Sequence, residues 1–257
     1  MMIHLIAPLI GLAAGTIGSM LGLGGGFLMV PLLNIAGVDI KIAIGTSAAA
    51  VFFNAVSATI AYTKYGYVQY RAGILISTTA VASAYLGAHL TKYLDVNTLR
   101  LMFGVVLLVV AFRTAVAENK KNTASTRSQL EWGNRSLSLL LGGGVLAGLV
   151  SGLFGVGGGV VNVPLLTYLG VVMHQAVATS SMSITLTSVT SAVTHYTLGN
   201  VDILLLAALA PSLVVGAQIG ARLARKASSR TLKRGFSVAL TFIALRMILK
   251  SMGLQVP

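Results

Sequence analysis

Gly22-Leu-Gly-Gly-Gly-Phe-Leu-Met-Val-Pro31, followed by Leu32 and Leu33, decides how this chain is read. The stretch returns as Gly155-Val-Gly-Gly-Gly-Val-Val-Asn-Val-Pro164, followed by Leu165 and Leu166. The offset of 133 residues holds without a gap from Ala14/Ala147 to Arg113/Arg246, and 30 of those 100 aligned pairs are identical. The identities include Thr46-Ser47/Thr179-Ser180, Gly66/Gly199 and Gly87-Ala88/Gly220-Ala221. The protein is therefore a duplicated unit. Its expected parts are a first repeat over 1–117, a polar linker over 118–135 and a second repeat over 136–257.

Three adjacent glycines make a poor helix, because each is about 1 kcal/mol less favourable than Ala in a helix interior. Pro31 and Pro164 each remove a further backbone N–H. Composition sets where these breaks lie. Hydrophobic residues form 56% of the 257 residues and charged residues 9%, and mean hydropathy is +0.89. A soluble domain carries about a quarter charged residues, so the composition is that of an integral membrane protein. Irregular backbone at membrane depth is tolerated only inside protein or along a wet cavity. Matched breaks in the two halves of a membrane protein are the sequence pointer to a transporter's binding site.

Charge-poor runs near 5–35, 42–63, 72–91, 99–117, 136–168, 175–198, 202–221 and 234–250 predict about eight hydrophobic spans in an all-α polytopic protein. The first run of each repeat is too long for one crossing and carries the break. Met1-Met-Ile-His4 has no basic flank and reads as the start of a span. If every run crosses once, the 18 Lys and Arg divide nine to nine between the two sides. If each glycine break turns its run back on itself, the repeats become inverted and the division is 13 to 5. The positive-inside rule favours the second arrangement. It puts the linker and the basic cluster between Arg222 and Arg234 in the cytoplasm. Trp132 fits an interfacial anchor. The net charge of +13 comes from residues at span ends, which excludes nucleic acid as the expected partner. With no cysteine there is no thiol chemistry or disulfide.

The paired motifs, together with Gly45-Thr-Ser47, Phe53-Asn-Ala-Val-Ser-Ala-Thr59 and Gly199-Asn-Val-Asp202, resemble the TauE/SafE family, the sulfite exporters. The resemblance runs over roughly residues 5–250. It implies a transporter of small sulfur-containing or organic anions such as sulfite or sulfoacetate, in the cell (inner) membrane. The two halves are not perfect copies. Asp202 stands where the first half has Gln69, Asn200 where it has Tyr67, and Thr187 where it has Asn54.

Helix starts expose N–H groups and the positive end of the dipole, which suits an anion. Gly24, Gly25 and Gly26 and their partners Gly157, Gly158 and Gly159 are therefore the first candidates for substrate binding. Close helix packing is the competing explanation, since Gly18, Gly22 and Gly26 are spaced four apart. Thr46, Ser47, Thr179 and Ser180 offer hydroxyls that donate to an oxyanion and release it readily, unless they bond to helix carbonyls. Asn54 adds an amide on the same span. Arg113 and Arg246 are equivalent ionisable groups in apolar surroundings, candidates for an anion relay or for snorkelling to the interface. His195 is a one-sided candidate proton carrier, because its counterpart is Tyr62. No carboxylate pair or His/Asp cluster exists for catalysis or metal binding, so neither an enzyme nor a cofactor is expected. The expected partners are a small anion and the lipid bilayer, with a homo-oligomer and a coupling ion left open. A passive anion channel is the main alternative, and a non-transporting scaffold a weaker one.

Overall fold

The computed structural model describes residues 2–118, 132–226 and, near the C-terminus, 237–238, 241–242, 244–249 and 251–252. Each half opens with a long helix, a break and a ten-residue helix. In the first half these are α1 (Met2–Leu21) and α2 (Gly26–Ile35), followed by α3 (Ile40–Lys64), α4 (Tyr70–Leu90) and α5 (Val96–Glu118). The second half repeats the order as α6 (Asn134–Phe154), α7 (Gly159–Tyr168), α8 (Met173–Thr197) and α9 (Ile203–Lys226). Residues 244–249 are helical again and pack on α5, where Gly104 faces the Ala244 carbonyl and Ile248. All the described elements are helices. Residues 119–131 of the predicted linker and 227–234 of the predicted basic cluster lie outside the described residues.

The glycines alone break the chain. Pro31 and Pro164 both fall inside the short helices, five residues past their first residue, and the helices continue through them. Each proline is the sixth residue of its helix and so removes one i→i−4 bond, to the Phe27 and Val160 carbonyls, without ending the helix.

Among the described residues, α3, α4, α6 and α9 are long and apolar enough to cross a membrane by themselves. Shorter apolar stretches are Ile6–Leu21, Gly26–Ile35, Val96–Val109 and Gly159–Tyr168. The predicted span 175–198 is helical as α8, but its composition is far more polar, with Ser or Thr at 11 of 25 positions. α8 packs on α3, α4 and α7 and leaves Leu186, Val189, Val193 and Tyr196 exposed, so its exposed face is mostly apolar while most of its Ser and Thr side chains are buried. Its hydroxyls bond largely within the helix: Ser181 to the Val177 carbonyl, Thr185 to Ser181, Thr187 to Ser183 and Thr194 to Thr190. Such a helix does not need to be apolar.

The first helix of each half packs along the fourth helix of the other half, α1 on α9 and α6 on α4. Small residues make both contacts. On α6, Gly144, Gly148 and Gly152 sit against the Ile76, Ala80 and Ala84 carbonyls of α4. On α9, Gly216 and Gly220 sit against the Leu12 and Thr16 carbonyls of α1. In both pairs the residue numbers rise together, so the helices run in the same direction. Association of helices in lipid depends on such close approach, because lipid tails compete for apolar side chains. Arg71 at the start of α4 stacks on Trp132, 4.1 Å from guanidinium carbon to ring centroid.

This packing predicts a contrast within one helix. A side chain at Gly148 would run into the Ala80 carbonyl and Ser83, whereas nothing lies within 4 Å of a Cβ at Gly142. Gly148→Leu is expected to abolish the monodisperse detergent-solubilised peak in size-exclusion chromatography. Gly142→Ala is expected to keep the peak and raise thermal stability by up to about 1 kcal/mol, the helix-propensity gain.

Candidate functional site

At the end of α1 the chain turns through Gly22, Gly24 and Gly25, with φ of 72°, 80° and 84°. Gly155, Gly157 and Gly158 do the same after α6, with φ of 64°, 88° and 79°. Only glycine adopts these angles without strain. The turn folds α2 back along α1, so that Gly25 lies against the Ala14 carbonyl and Gly18 against Gly25. Gly25 and Gly158 are the N-caps of α2 and α7, and neither helix has a side-chain cap. The Leu28 and Met29 N–H groups reach the Gly25 carbonyl, at 3.1 Å each, whereas the earlier Gly26 and Phe27 N–H groups of the first turn have no intrahelical acceptor.

The two breaks meet. A Cβ on Gly26 would strike the Gly155 carbonyl, and one on Gly159 the Gly22 carbonyl. Gly24 and Gly157 both close on the same pair of side chains, Val51 of α3 and Ile184 of α8. The glycines thus open two helix starts without side-chain caps and let the halves touch.

The candidate hydroxyls tie this junction together. Ser47 donates to the Gly155 carbonyl at 3.0 Å, and Ser180 donates to the Gly22 carbonyl at 2.7 Å. Thr46 accepts from the Asp202 N–H and Thr179 from the Gln69 N–H, each at 3.0 Å. All four side chains are fully buried. Because positions 69 and 202 contribute backbone N–H groups here, the Gln and Asp side chains are free to differ. Ser47 and Ser180 thus donate to carbonyls of the opposite half, the second of the two uses the sequence allows.

Asn54 stands apart. It is fully buried, and neither amide atom has a hydrogen-bond partner. Its Nδ2 lies 3.7 Å from the position a Cβ would take on Gly25, and its Oδ1 3.3 Å from that on Gly15. Thr187, its counterpart, donates to the Ser183 carbonyl of its own helix at 3.0 Å.

His195 has a partner that the repeat explains. Its Nε2 is 2.7 Å from the Gly152 carbonyl, and the Tyr62 hydroxyl donates to the Ser19 carbonyl at 2.7 Å at the equivalent place. A ring that bolts α8 to α6 in one half and α3 to α1 in the other serves packing in both. Arg246 is half-buried on the segment that packs against α5, with its Nε lacking a partner. The side chain of Arg113 lies outside the described residues. No group of three or more metal-ligating side chains occurs among the described residues.

Two polar groups were missed from sequence. Ser151 Oγ and Asn162 Oδ1 are buried without partners, Ser151 late in α6 and Asn162 in the first turn of α7. Their signal is a departure from the repeat, for they stand opposite Gly18 and Met29.

Comparison with known proteins places the chain. The family model described as sulfite exporter TauE/SafE matches residues 7–247. The chain belongs to the TauE/SafE family. The probable membrane transporter protein YunE of Bacillus subtilis is 31% identical over 96% of this chain and 98% of its own length. The probable membrane transporter protein MJ0441 of Methanocaldococcus jannaschii is 29% identical over 95% and 96%. A probable membrane transporter protein of Haemophilus influenzae is 26% identical over 96% and 98%. No solved structure matches. This TauE/SafE chain is a multi-pass membrane transporter.

The cross-half hydrogen bonds give a stability test for the TauE/SafE junction. Ser47→Ala and Ser180→Ala each leave a buried glycine carbonyl unpaired, and each is expected to lower unfolding free energy by about 1 kcal/mol. Denaturant titration followed by intrinsic fluorescence reads the change. Unchanged stability in both variants would contradict the bolting role.

Proposed function

We propose that this protein carries a small sulfur-containing or organic anion, such as sulfite or sulfoacetate, across the cell membrane by alternating access. The observation that carries this reading is the meeting of two uncapped helix starts, Gly26 of α2 and Gly159 of α7, at the contact between the halves. Each helix start offers N–H groups and a positive dipole end to an anion without a formal charge from the protein. Broken helices that meet at a repeat interface are how many secondary transporters build a site.

Alternating access follows from inverted halves, and the helix directions support inversion. Contacts between Thr46 and Asp202 and between Ser57 and Val214 align α3 with α9 in the same sense. Contacts between Gln69 and Thr179 and between Ser77 and Ser183 do the same for α4 and α8. α3 and α4 are joined by a short turn at 65–69 and oppose one another. α3 then opposes its own counterpart α8, and α4 opposes α9. The same inversion collects 13 of the 18 Lys and Arg on one side. Two inverted halves supply two conformations that open the junction to opposite sides. Close contact of both breaks on Val51 and Ile184 supports a carrier over an open channel. A potential negative inside drives anion exit by about 2.3 kcal/mol per charge per 100 mV, so export needs no coupled ion.

Two measurements test this. In proteoliposomes, one anion among sulfite, thiosulfate, sulfoacetate, lactate and pyruvate is expected to move saturably, with a rate that follows an imposed potential. Gly25→Leu with Gly158→Leu abolishes it. No movement of any of them defeats the reading. Topology is read separately, because the chain has no cysteine. Cysteines placed at Lys64 and Lys226 are expected to react with an impermeant thiol reagent from the cytoplasmic side and one at Lys92 from the outside. Lys226 reacting with Lys92 would mean parallel repeats.

A further inference from the structure

The two breaks have the same backbone but different side chains, and that difference bears on where a charge sits. Around the first break, every nearest neighbour of Gly18, Gly22, Gly24, Gly25 and Gly26 is a neutral group: Ala14, Val51, Asn54, Ser47, Val156, Val163, Val177 and Ile184 among them. Within this neutral shell the Asn54 amide is fully buried and unpaired, beside the N-cap of α2. A buried amide left without partners is destabilising. Its persistence beside an uncapped helix start is explained by a ligand that accepts its N–H protons together with those of Gly26 and Phe27. At the second break the place of Asn54 is taken by Thr187, bonded to its own helix, and the unpaired groups there are the Ser151 hydroxyl and the Asn162 Oδ1, of which the Oδ1 is an acceptor that repels an anion.

We infer that the first-repeat break is the anion-binding one and that it takes monoanions in preference to dianions. This rests on the transport reading above and narrows its substrate class. The reason is how two energies scale with charge. Attraction to fixed neutral dipoles, here a helix start worth roughly half an elementary charge and one amide, grows in proportion to ligand charge. Loss of hydration grows with the square of the charge. Doubling the charge doubles the gain and quadruples the loss, and a site with no cation among its nearest neighbours cannot make up the difference. Of the two substrates named above, sulfite in its singly charged hydrogensulfite form fits, and doubly charged sulfoacetate does not.

The test uses the purified full-length protein in detergent, with thermal unfolding as the readout and methanesulfonate, lactate, sulfate and sulfoacetate as probes. Asn54→Leu is the reference variant, because it removes both unpaired polar atoms at similar volume. Subtracting its response removes the general stabilisation that salts such as sulfate give any protein. At least one of the two monoanions is expected to raise the wild-type Tm saturably. The dianions should require at least a hundredfold higher concentration to displace it. Asn54→Leu should unfold at the same or a higher temperature than wild type without anion and show no saturable shift. Thr187→Ala should keep the shift within a factor of two. Asn54→Ala repeats the test without the bulk of leucine.

The inference is overturned by saturable binding of a dianion as tight as that of the monoanions, or by no saturable shift with either monoanion. It is also overturned if both Asn54 variants unfold at lower temperature, which marks a structural amide, or if they bind as wild type does. Proteoliposome flux separates it from the broader reading. Flux that survives Asn54→Leu removes this site and leaves transport standing, whereas Asn54-dependent binding without any flux leaves the site and removes transport.

Discussion

Backbone that turns inside hydrocarbon has no water to satisfy it, so its carbonyls and N–H groups must find partners within the protein. In this protein the carbonyls of Gly22 and Gly155, at the head of each break, are met by Ser180 and Ser47 of the opposite half. That reciprocal pair of hydrogen bonds determines much else. It brings α3 and α8 to the centre and requires glycine where the breaks touch. It also ties the two halves together, because the Gly22 and Gly155 carbonyls are each met by the other repeat. The long Ser- and Thr-rich α8 is tolerated for the same reason, because most of its hydroxyls are buried against protein and its exposed face carries Leu186, Val189 and Val193.

Symmetry in the scaffold and asymmetry in the side chains serve different ends. Groups that hold the junction recur in both halves: Thr46 with Thr179, Ser47 with Ser180, Tyr62 with His195. The last pair differs in chemistry yet makes the same bond to a carbonyl of the first long helix, so identity is not needed where geometry is kept. The uncharged side chains left unpaired do not recur. Asn54, Ser151 and Asn162 face Thr187, Gly18 and Met29 across the repeat. A duplicated scaffold can thus hold a site that is not duplicated, with structural hydrogen bonds confined to the symmetric positions.

The small residues that line α6 and α9 complete the scheme. Gly144, Gly148, Gly152, Gly216 and Gly220 let helix carbonyls approach directly, which gives van der Waals contact where no hydrophobic drive separates helix from lipid. Contacts made by backbone and small side chains have few rotamers to lock.

The sequence by itself determined the duplication, the membrane setting and the place of each break, because these rest on local properties: composition, spacing and the φ angles open only to glycine. Asn54 was also visible, as an amide on an apolar helix. The pairing across halves was decided by the tertiary structure. Ser47 reads as a substrate ligand until its acceptor, 108 residues away, is known, and Ser180 until its own, 158 residues away, is known. His195 reads as a proton carrier until it is seen to repeat the bond of Tyr62. Ser151 and Asn162 become noticeable only when burial leaves them without partners. A hydroxyl's role depends on which acceptor lies within about 3 Å, and in a helical membrane protein that acceptor belongs to another helix, whose position no local pattern encodes.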